Sequence, residues 1–234
     1  MSLLISTPAV DSFAVPYSGL SSENLIRWAK QEFGDQLAVS TSFGIQSSVT
    51  LKLVTDVMPE IPVIWVDTGY LHEETHRYAD QLTSQLNLNL HVYRSPISPI
   101  EMEARFGKLW DSDEVADLNL YDQIRKVEPM QRALDDLDVR GWISGLRSSQ
   151  TQYRQKLPPI KRSGSRYRIY PILEWTNRDT YQFMQRHDLP QHPLFEQGYV
   201  TVGDQHSSRP FRLDDTDERD TRFRGLNQEC GLHL

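Results

Sequence analysis

Apolar positions in the first third of the chain switch between helical and strand spacing. Leu25, Ile26, Ala29 and Phe33 recur at helical spacing behind Ser21–Ser22, either of which can cap a helix, and Gly34 ends the pattern. Short apolar runs at 37–42, 62–67 and 88–93 predict strands, and apolar residues at helical spacing between them predict two more helices. The order predicts a βαβαβ unit.

The second half of the chain is more polar but continues the alternation. Residues 95–140 are mostly helical in pattern, with a break predicted at 126–129, where the sequence reads KVEP. A fourth strand is predicted at 142–147, a polar basic loop at 150–168 and a fifth strand at 169–172. Residues 176–179 open a helix, and loops are expected from Pro190 onward.

These elements predict an α/β fold with a parallel sheet flanked by helices. We expect a loosely ordered lead-in at 1–20, a nucleotide-binding domain at 21–202 and a mobile C-terminal tail at 203–234. Ligands of parallel sheets bind beyond the carboxyl ends of the strands. Residues 42–48 and 67–70 both follow predicted strands, so both should face one crevice.

Composition narrows the class of protein. The net charge of −7 argues against a protein that coats nucleic acid, although arginines cluster between 209 and 224. A single cysteine among 234 residues rules out an internal disulfide and fits a reducing, cytoplasmic environment. The N-terminus lacks a signal-peptide pattern, and no apolar run approaches the ~18 residues of a membrane helix.

Two strand-end turns carry candidate chemistry. The run STSFGIQSS at 40–48 is neither a Walker A loop nor a G-x-G-x-x-G turn, yet it offers hydroxyls and backbone N–H groups at a helix N-terminus. Asp67 ends the next strand, where a carboxylate can bind ribose or a metal, or cap the following helix. Arg147 follows the fourth strand into the same crevice, and cations there suggest a polyanionic small ligand.

The run HEETH at 72–76 fits the zinc motif H-E-x-x-H. Both histidines fall in the first helical turn after a strand-end loop, and the sequence offers no obvious third ligand nearby. We interpret the spacing as a chance match.

Cys230 is the fifth residue from the end of the sequence, in the run ECGLH at 229–233. It is either an incidental surface thiol or a nucleophile on a mobile arm. The two interpretations differ in whether the rest of the chain forms a binding site for a substrate that the thiol could attack.

Together these stretches resemble the sulfonucleotide reductases, most closely the cluster-free, thioredoxin-dependent branch that acts on 3′-phosphoadenylyl sulfate (PAPS). The resemblance runs from residue 37 to the C-terminus. It rests on SFGIQ at 42–46, DTGY at 67–70, KVEPM at 126–130, GLR at 145–147, residues 199–206 and ECGLH at 229–233. It implies an adenine nucleotide α-hydrolase-like fold with Cys230 as nucleophile. The substrate-binding residues that it implies are Ser40, Ser42, Phe43, Gly44, Gln46, Asp67, Thr68, Gly69, Lys126, Arg147, Arg154, His206, Arg219 and Arg222.

The resemblance also implies a reaction. Cys230 would take the sulfonate from PAPS as S-sulfocysteine, and thioredoxin or glutaredoxin would release sulfite, as in assimilatory sulfate reduction. Relatives that carry a [4Fe–4S] cluster need four thiolates, and one cysteine cannot supply them, so we expect no cofactor. The family also suggests a homodimer. Ser148 and Ser149 stand where relatives often have a second arginine, which leaves open the cations that hold the 3′-phosphate.

Three alternatives stay open at this point. An ATP-pyrophosphatase-type enzyme shares the expected fold, but Phe43 and Gln46 break its S-G-G-x-D-S loop. A zinc hydrolase would use His72 and His76. A nucleotide-binding module without catalysis would need no reactive thiol.

Overall fold

The fold is built on one twisted sheet in this computed structural model, which describes residues 20–215 and 218–222. Six strands of the described chain form it in the order β3-β2-β1-β4-β6-β5. They are β1 Leu37–Thr41, β2 Pro62–Val66, β3 Asn89–Tyr93, β4 Gly141–Ile143, β5 Ile160–Ser163 and β6 Arg166–Ile169. Strands β3, β2, β1, β4 and β6 pair in parallel, and β5 pairs antiparallel to β6. The predicted α/β class with a parallel sheet is confirmed.

Helices connect the parallel strands and cover the sheet. Ser21 caps the first helix by accepting a hydrogen bond from the N–H of Asn24, and Gly34 ends it with a φ of 51°, as the sequence predicts. The helices are α1 Ser22–Phe33, α2 Ser47–Val57, α3 Glu73–Leu86, α4 Pro99–Phe106, α5 Val115–Asp122, α6 Glu128–Asp136 and α7 Asn177–Arg186.

The core lies on both faces of the sheet. Val39, Val63 and Ile143 face α1, α2 and α3 in the larger apolar cluster. Ala38, Ile64 and Trp142 alternate with them and face the opposite side, where α6 packs. Burial on both faces explains why these strands are continuous apolar runs.

The strand predictions near the fifth strand are wrong in two ways. Residues 160–163 form β5 instead of a loop, and the strand predicted at 169–172 lies at Arg166–Ile169. The two strands form a hairpin at the sheet edge, with Gly164 at a φ of 63° in its turn. An edge hairpin tolerates Lys161 and Arg162 because its outer face meets water, so apolar spacing does not reveal it.

The break predicted at 126–129 is also wrong. A π-helical turn, Gln123–Val127, joins α5 directly to α6. Pro129 has no N–H to donate to the carbonyl four residues earlier, and the N–H of Glu128 instead bonds the carbonyl of Gln123, five residues back. The proline therefore widens the helix without ending it.

Part of the described chain after residue 203 packs against the domain, whereas residues 210–214 are exposed. Asp204 is 1 % exposed, and Leu71 and Asp204 form a β-bridge. The domain boundaries remain a prediction, and residues 1–19, 216–217 and 223–234, including Cys230, lie outside the described residues. Within the described part of the chain, none of the helices is long and apolar enough to cross a membrane.

Candidate active site

A cleft of about 260 Å³ opens at the carboxyl ends of β1, β2 and β4. The turn after β1, the start of α2 and the residues after β2 and β4 form its floor, and residues 200–204 form one wall. The predicted residues that line it are Ser40, Ser42, Gly44, Gln46, Thr68, Lys126, Arg147, Arg154 and Arg222. Residues of both strand-end turns therefore line one cleft, as the sequence predicts.

The turn after β1 is shaped by a residue that does not line the cleft. Phe43 is fully buried with a φ of 47°, and its ring packs edge-on against Trp65 at 5.0 Å. Its N–H donates to Thr41 Oγ1 at 3.0 Å, and Ser47 Oγ donates to the Gly44 carbonyl at 2.8 Å. Phe43 thus fixes the turn from the core side, which leaves the N-terminus of α2 facing the cleft, where an anion is favoured.

Arginines supply the positive charge of the cleft. Arg147 and Arg154 are 2 % and 5 % exposed. Arg147 Nη1 donates to Asn177 Oδ1 at 2.7 Å and its Nη2 donates to Gln46, while Arg154 donates to Gln150. These amide oxygens orient the two guanidinium groups. Buried cations held in this way favour an anionic ligand.

Lys126 lines the cleft but is paired with buried carboxylates. Its Nζ lies 2.8 Å from Asp122 Oδ1 and 3.2 Å from Asp204 Oδ2. Burial alone would raise the pKa of Asp204, but the Lys126 ammonium and the hydrogen bond donated by Thr68 Oγ1 hold that pKa well below its ordinary value. Asp204 is therefore a carboxylate at neutral pH, and the ammonium serves to balance it.

Two predicted residues lie behind the cleft wall. Asp67 accepts hydrogen bonds from the N–H of Gly69 at 2.9 Å and from Arg94 Nε at 2.8 Å, and it does not line the cleft. Gly69 has a φ of 77°, and a Cβ there would lie 2.8 Å from Arg125 Nη2. Buried Arg125 donates to the carbonyls of Thr68 and Ile97 and so holds this turn in place.

His206 also lies away from the cleft, in an aromatic box. Its ring stacks on Trp110 at 4.3 Å and meets Tyr70 and Tyr121 edge-on at 5.0 and 5.3 Å. Burial, together with the nearby Lys126 and against the opposing pull of Asp204, lowers the pKa of His206 to about 4. His206 is therefore neutral at pH 7. Of the other predicted residues, the side chain of Arg219 and all of Cys230 lie outside the described residues.

The H-E-x-x-H residues make ring contacts with other side chains. His72 contacts Tyr199 at 5.6 Å, and His76 contacts Trp65 at 5.3 Å. Burial lowers the pKa of His72. In the described residues we find no group of three or more His, Cys, Asp or Glu side chains that could hold a metal ion.

Several cleft residues carry no signal in the sequence. Thr50 and Ser144 line the cleft with buried hydroxyl groups that have no hydrogen-bond partner among the described residues. Asn177 does not line the cleft, but its Oδ1 accepts from Arg147 Nη1 at 2.7 Å and from Gln46 Nε2 at 3.2 Å. Unlike Thr50 and Ser144, Asn177 was foreseeable in part, because the capped helix start at 176–179 marks a residue next to a loop.

Comparison with known proteins agrees with this geometry. The phosphoadenosine phosphosulfate reductase domain family matches residues 36–210. The chain is 58 % identical over 214 residues to the phosphoadenosine 5′-phosphosulfate reductase of Synechocystis, covering 92 % of this chain and 86 % of that protein. It is 57 % identical over 227 residues to the Synechococcus enzyme of the same name, covering 97 % and 98 %.

Solved structures support the same fold. The phosphate complex of the PAPS reductase from Candida auris has a TM-score of 0.70 at 28 % identity, over 82 % of this chain and 91 % of that one. The FMN adenylyltransferase of Candida glabrata has a TM-score of 0.59 at 14 % identity, over 83 % and 66 %, and shows likeness of fold alone. These neighbours confirm the adenine nucleotide α-hydrolase-like fold. The chain therefore belongs to the phosphoadenosine phosphosulfate reductase family of oxidoreductase enzymes.

Proposed function

We propose that the protein reduces PAPS to sulfite and adenosine 3′,5′-bisphosphate in assimilatory sulfate reduction. The observation that carries the proposal is the convergence of Arg147, Arg154 and Arg222 on one cleft, in a chain of net charge −7. Cations gathered at one site in an acidic protein fit a small, multiply charged anion. The names of the relatives supply the identity of that anion.

In this proposal the nucleotide lies across the carboxyl ends of β1 and β4. The turn around Ser42 and Gly44 and the N-terminus of α2 face its phosphate groups. Arg147, Arg154 and Arg222 neutralise the charge of the phosphates and the sulfonate. Lys126 contributes less charge than its position suggests, because Asp122 and Asp204 already pair with it.

The first chemical step transfers the sulfonate to Cys230. The Cys230 thiolate attacks the sulfonate sulfur, an S–S bond forms, and the S–O bond to the phosphate breaks. Adenosine 3′,5′-bisphosphate leaves with that electron pair, and Cys230 carries S-sulfocysteine. Cationic side chains near the thiol, Arg222 among them, would raise the thiolate fraction by lowering the pKa of the thiol.

The distance along the chain allows this attack. Arg222 lines the cleft, and Cys230 follows it by eight residues. Eight extended residues span at most about 29 Å. This upper limit exceeds what the thiol needs to enter the cleft and also allows it to withdraw toward a protein partner.

An external dithiol protein completes the cycle, since this chain has no second cysteine. One thiolate of thioredoxin or glutaredoxin attacks Cys230 Sγ, and sulfite leaves with the electron pair of the S–S bond. The second thiol resolves the mixed disulfide and returns Cys230 to its reduced form. Two electrons pass from the dithiol to the sulfur, and no resident cofactor takes part. A cytoplasmic location and a homodimer belong to the same proposal, by family resemblance.

Intact-mass spectrometry after rapid quench tests the mechanism. The protein incubated with PAPS should gain about one SO₃ unit, and thioredoxin should remove it. Cys230→Ser should bind adenosine 3′,5′-bisphosphate as the parent protein does but gain no mass and form no sulfite. Sulfite formation by Cys230→Ser at the parental rate would refute the role of Cys230.

A further inference from the structure

Backbone conformation does not explain why residue 203 is a glycine. It lines the cleft between Val202 and Asp204, and it is absent from the glycines with positive φ. Positive φ is the condition under which a backbone favours glycine over other residues. Alanine would therefore be compatible with the backbone of Gly203, and the requirement must come from what surrounds it.

The guanidinium of Arg222 occupies the space where a side chain would be. A Cβ on Gly203 would lie 2.5 Å from Arg222 Nη1 and would overlap Cζ and Nη2 still more. The overlap involves three of the four heavy atoms of the guanidinium, so a small shift of one atom would not relieve it. The missing side chain lets the guanidinium lie close to the backbone at the cleft wall.

The same short segment fixes the rest of Arg222. Arg222 Nε donates to the Ser207 carbonyl at 3.2 Å, and Ser208 and Arg222 form an isolated antiparallel β-bridge. Thr221, next to it, shares a hydroxyl hydrogen bond of 2.9 Å with Thr201. Residues 201–208 therefore contact both the backbone of Arg222 and its guanidinium group.

That segment is itself tied to the domain. The N–H of Gly203 donates to Ser208 Oγ at 2.9 Å, which closes the loop between them. Asp204 is bound by Thr68 and Lys126 from two other elements. The segment that contacts Arg222 is thus anchored to the rest of the domain.

We propose that Gly203 is a positioning residue that seats the Arg222 guanidinium at the cleft wall, ready to bind the anionic part of the substrate. The inference rests on the proposed function, since it assumes that the cleft takes a nucleotide anion. It adds that the affinity for that anion depends on the absence of a side chain at residue 203.

A double-mutant cycle tests the proposal. Binding of adenosine 3′,5′-bisphosphate is measured by calorimetry for the parent protein, Gly203→Ala, Arg222→Ala and the double variant. Loss of one charge-assisted contact should weaken binding about tenfold in each single variant. The double variant should bind like Arg222→Ala, because no guanidinium remains for the new methyl group to displace.

Thermal unfolding separates positioning from a general structural role. Adding Gly203→Ala to Arg222→Ala should not lower the melting temperature, since the overlap is gone and alanine reduces the entropy of the unfolded chain. That comparison remains informative even if Gly203→Ala alone folds poorly. Unchanged affinity in Gly203→Ala, or an equal further loss in the Arg222→Ala background, would overturn the proposal. A parent protein that binds the nucleotide but forms no sulfite from PAPS would instead refute the proposed function.

Discussion

At the scale of single residues, His206 shows how packing changes the role of a side chain. The family resemblance implies that His206, within the predicted tail, binds substrate, and that role stays a prediction. In the structure its ring is enclosed by Trp110, Tyr70 and Tyr121, and burial lowers its pKa to about 4. The neutral ring packs as an aromatic side chain and connects residue 206 to three aromatic residues of the domain.

Replacing this ring changes the pH dependence of stability in a defined direction. In the unfolded chain a histidine binds a proton near pH 6.5, whereas folded His206 does so near pH 4. The unfolded state therefore binds more protons between these values, and the parent protein loses stability as the pH falls from about 6.5 to about 4. His206→Phe keeps the ring and removes this loss. Urea unfolding at pH 7.5 and at pH 5 should show a smaller drop for His206→Phe.

The alanine variant provides the control. His206→Ala also removes the titrating group but leaves a cavity in the aromatic box, so it should be less stable than His206→Phe at both pH values. Equal losses of stability on acidification in the parent and in His206→Phe would contradict the proposed linkage.

At the scale of elements, the start of α7 connects local capping to the cleft. Thr176 Oγ1 accepts from the N–H of Asp179 at 3.2 Å, and Asp179 Oδ2 accepts from the N–H of Thr176 at 2.8 Å. This capping box fixes the first turn of α7, whose first residue, Asn177, accepts the hydrogen bond from Arg147. A local sequence signal thus orients a cleft arginine on another element.

Removing the cap should cost a measurable part of the stability. Thr176→Ala should lower the free energy of unfolding by about 1 kcal/mol, because the N–H of Asp179 loses its acceptor. Thr176→Ser keeps an oxygen at the same place and should change it by only a few tenths of a kcal/mol. Urea unfolding of the two variants measures the difference. Similar values for alanine and serine would show that the box contributes nothing.

At the scale of the whole molecule, ligand binding and folding are linked. A nucleotide that binds the folded protein but not the unfolded chain should stabilise the fold by about 2.7 kcal/mol when its concentration is one hundred times its dissociation constant. For a chain of this size that corresponds to a rise of roughly 5–10 °C in the melting temperature. We expect adenosine 3′,5′-bisphosphate to produce this shift.

Two arginine variants show whether the shift comes from the cleft. Arg147→Ala should roughly halve the ligand-induced stabilisation at the same nucleotide concentration, since a tenfold weaker affinity removes about 1.4 kcal/mol. Arg166→Ala is the matched control, because Arg166 pairs with exposed Asp135 and is not among the residues that line the cleft. Equal losses in both variants would contradict binding in this cleft.

The sequence by itself determined the βαβαβ order, the strand ends that form the cleft and the family. These features depend on apolar spacing, caps and short motifs, which are local along the chain. The cleft residues Ser42, Gly44, Gln46 and Arg147 were identified from their position after buried strands, and the structure places all four at the cleft.

Tertiary structure alone decided which polar side chains reach the cleft and which are used elsewhere. Asp67 is bound to Arg94 and His206 is stacked on Trp110, because partners distant in sequence meet them in the fold. Asp204 becomes the carboxylate that pairs with Lys126 only once the chain returns from residue 203 to the β2 end. The seat of Arg222 on Gly203 likewise depends on two segments meeting at the cleft wall. Spacing along the chain cannot predict such contacts, since they depend on distances in space.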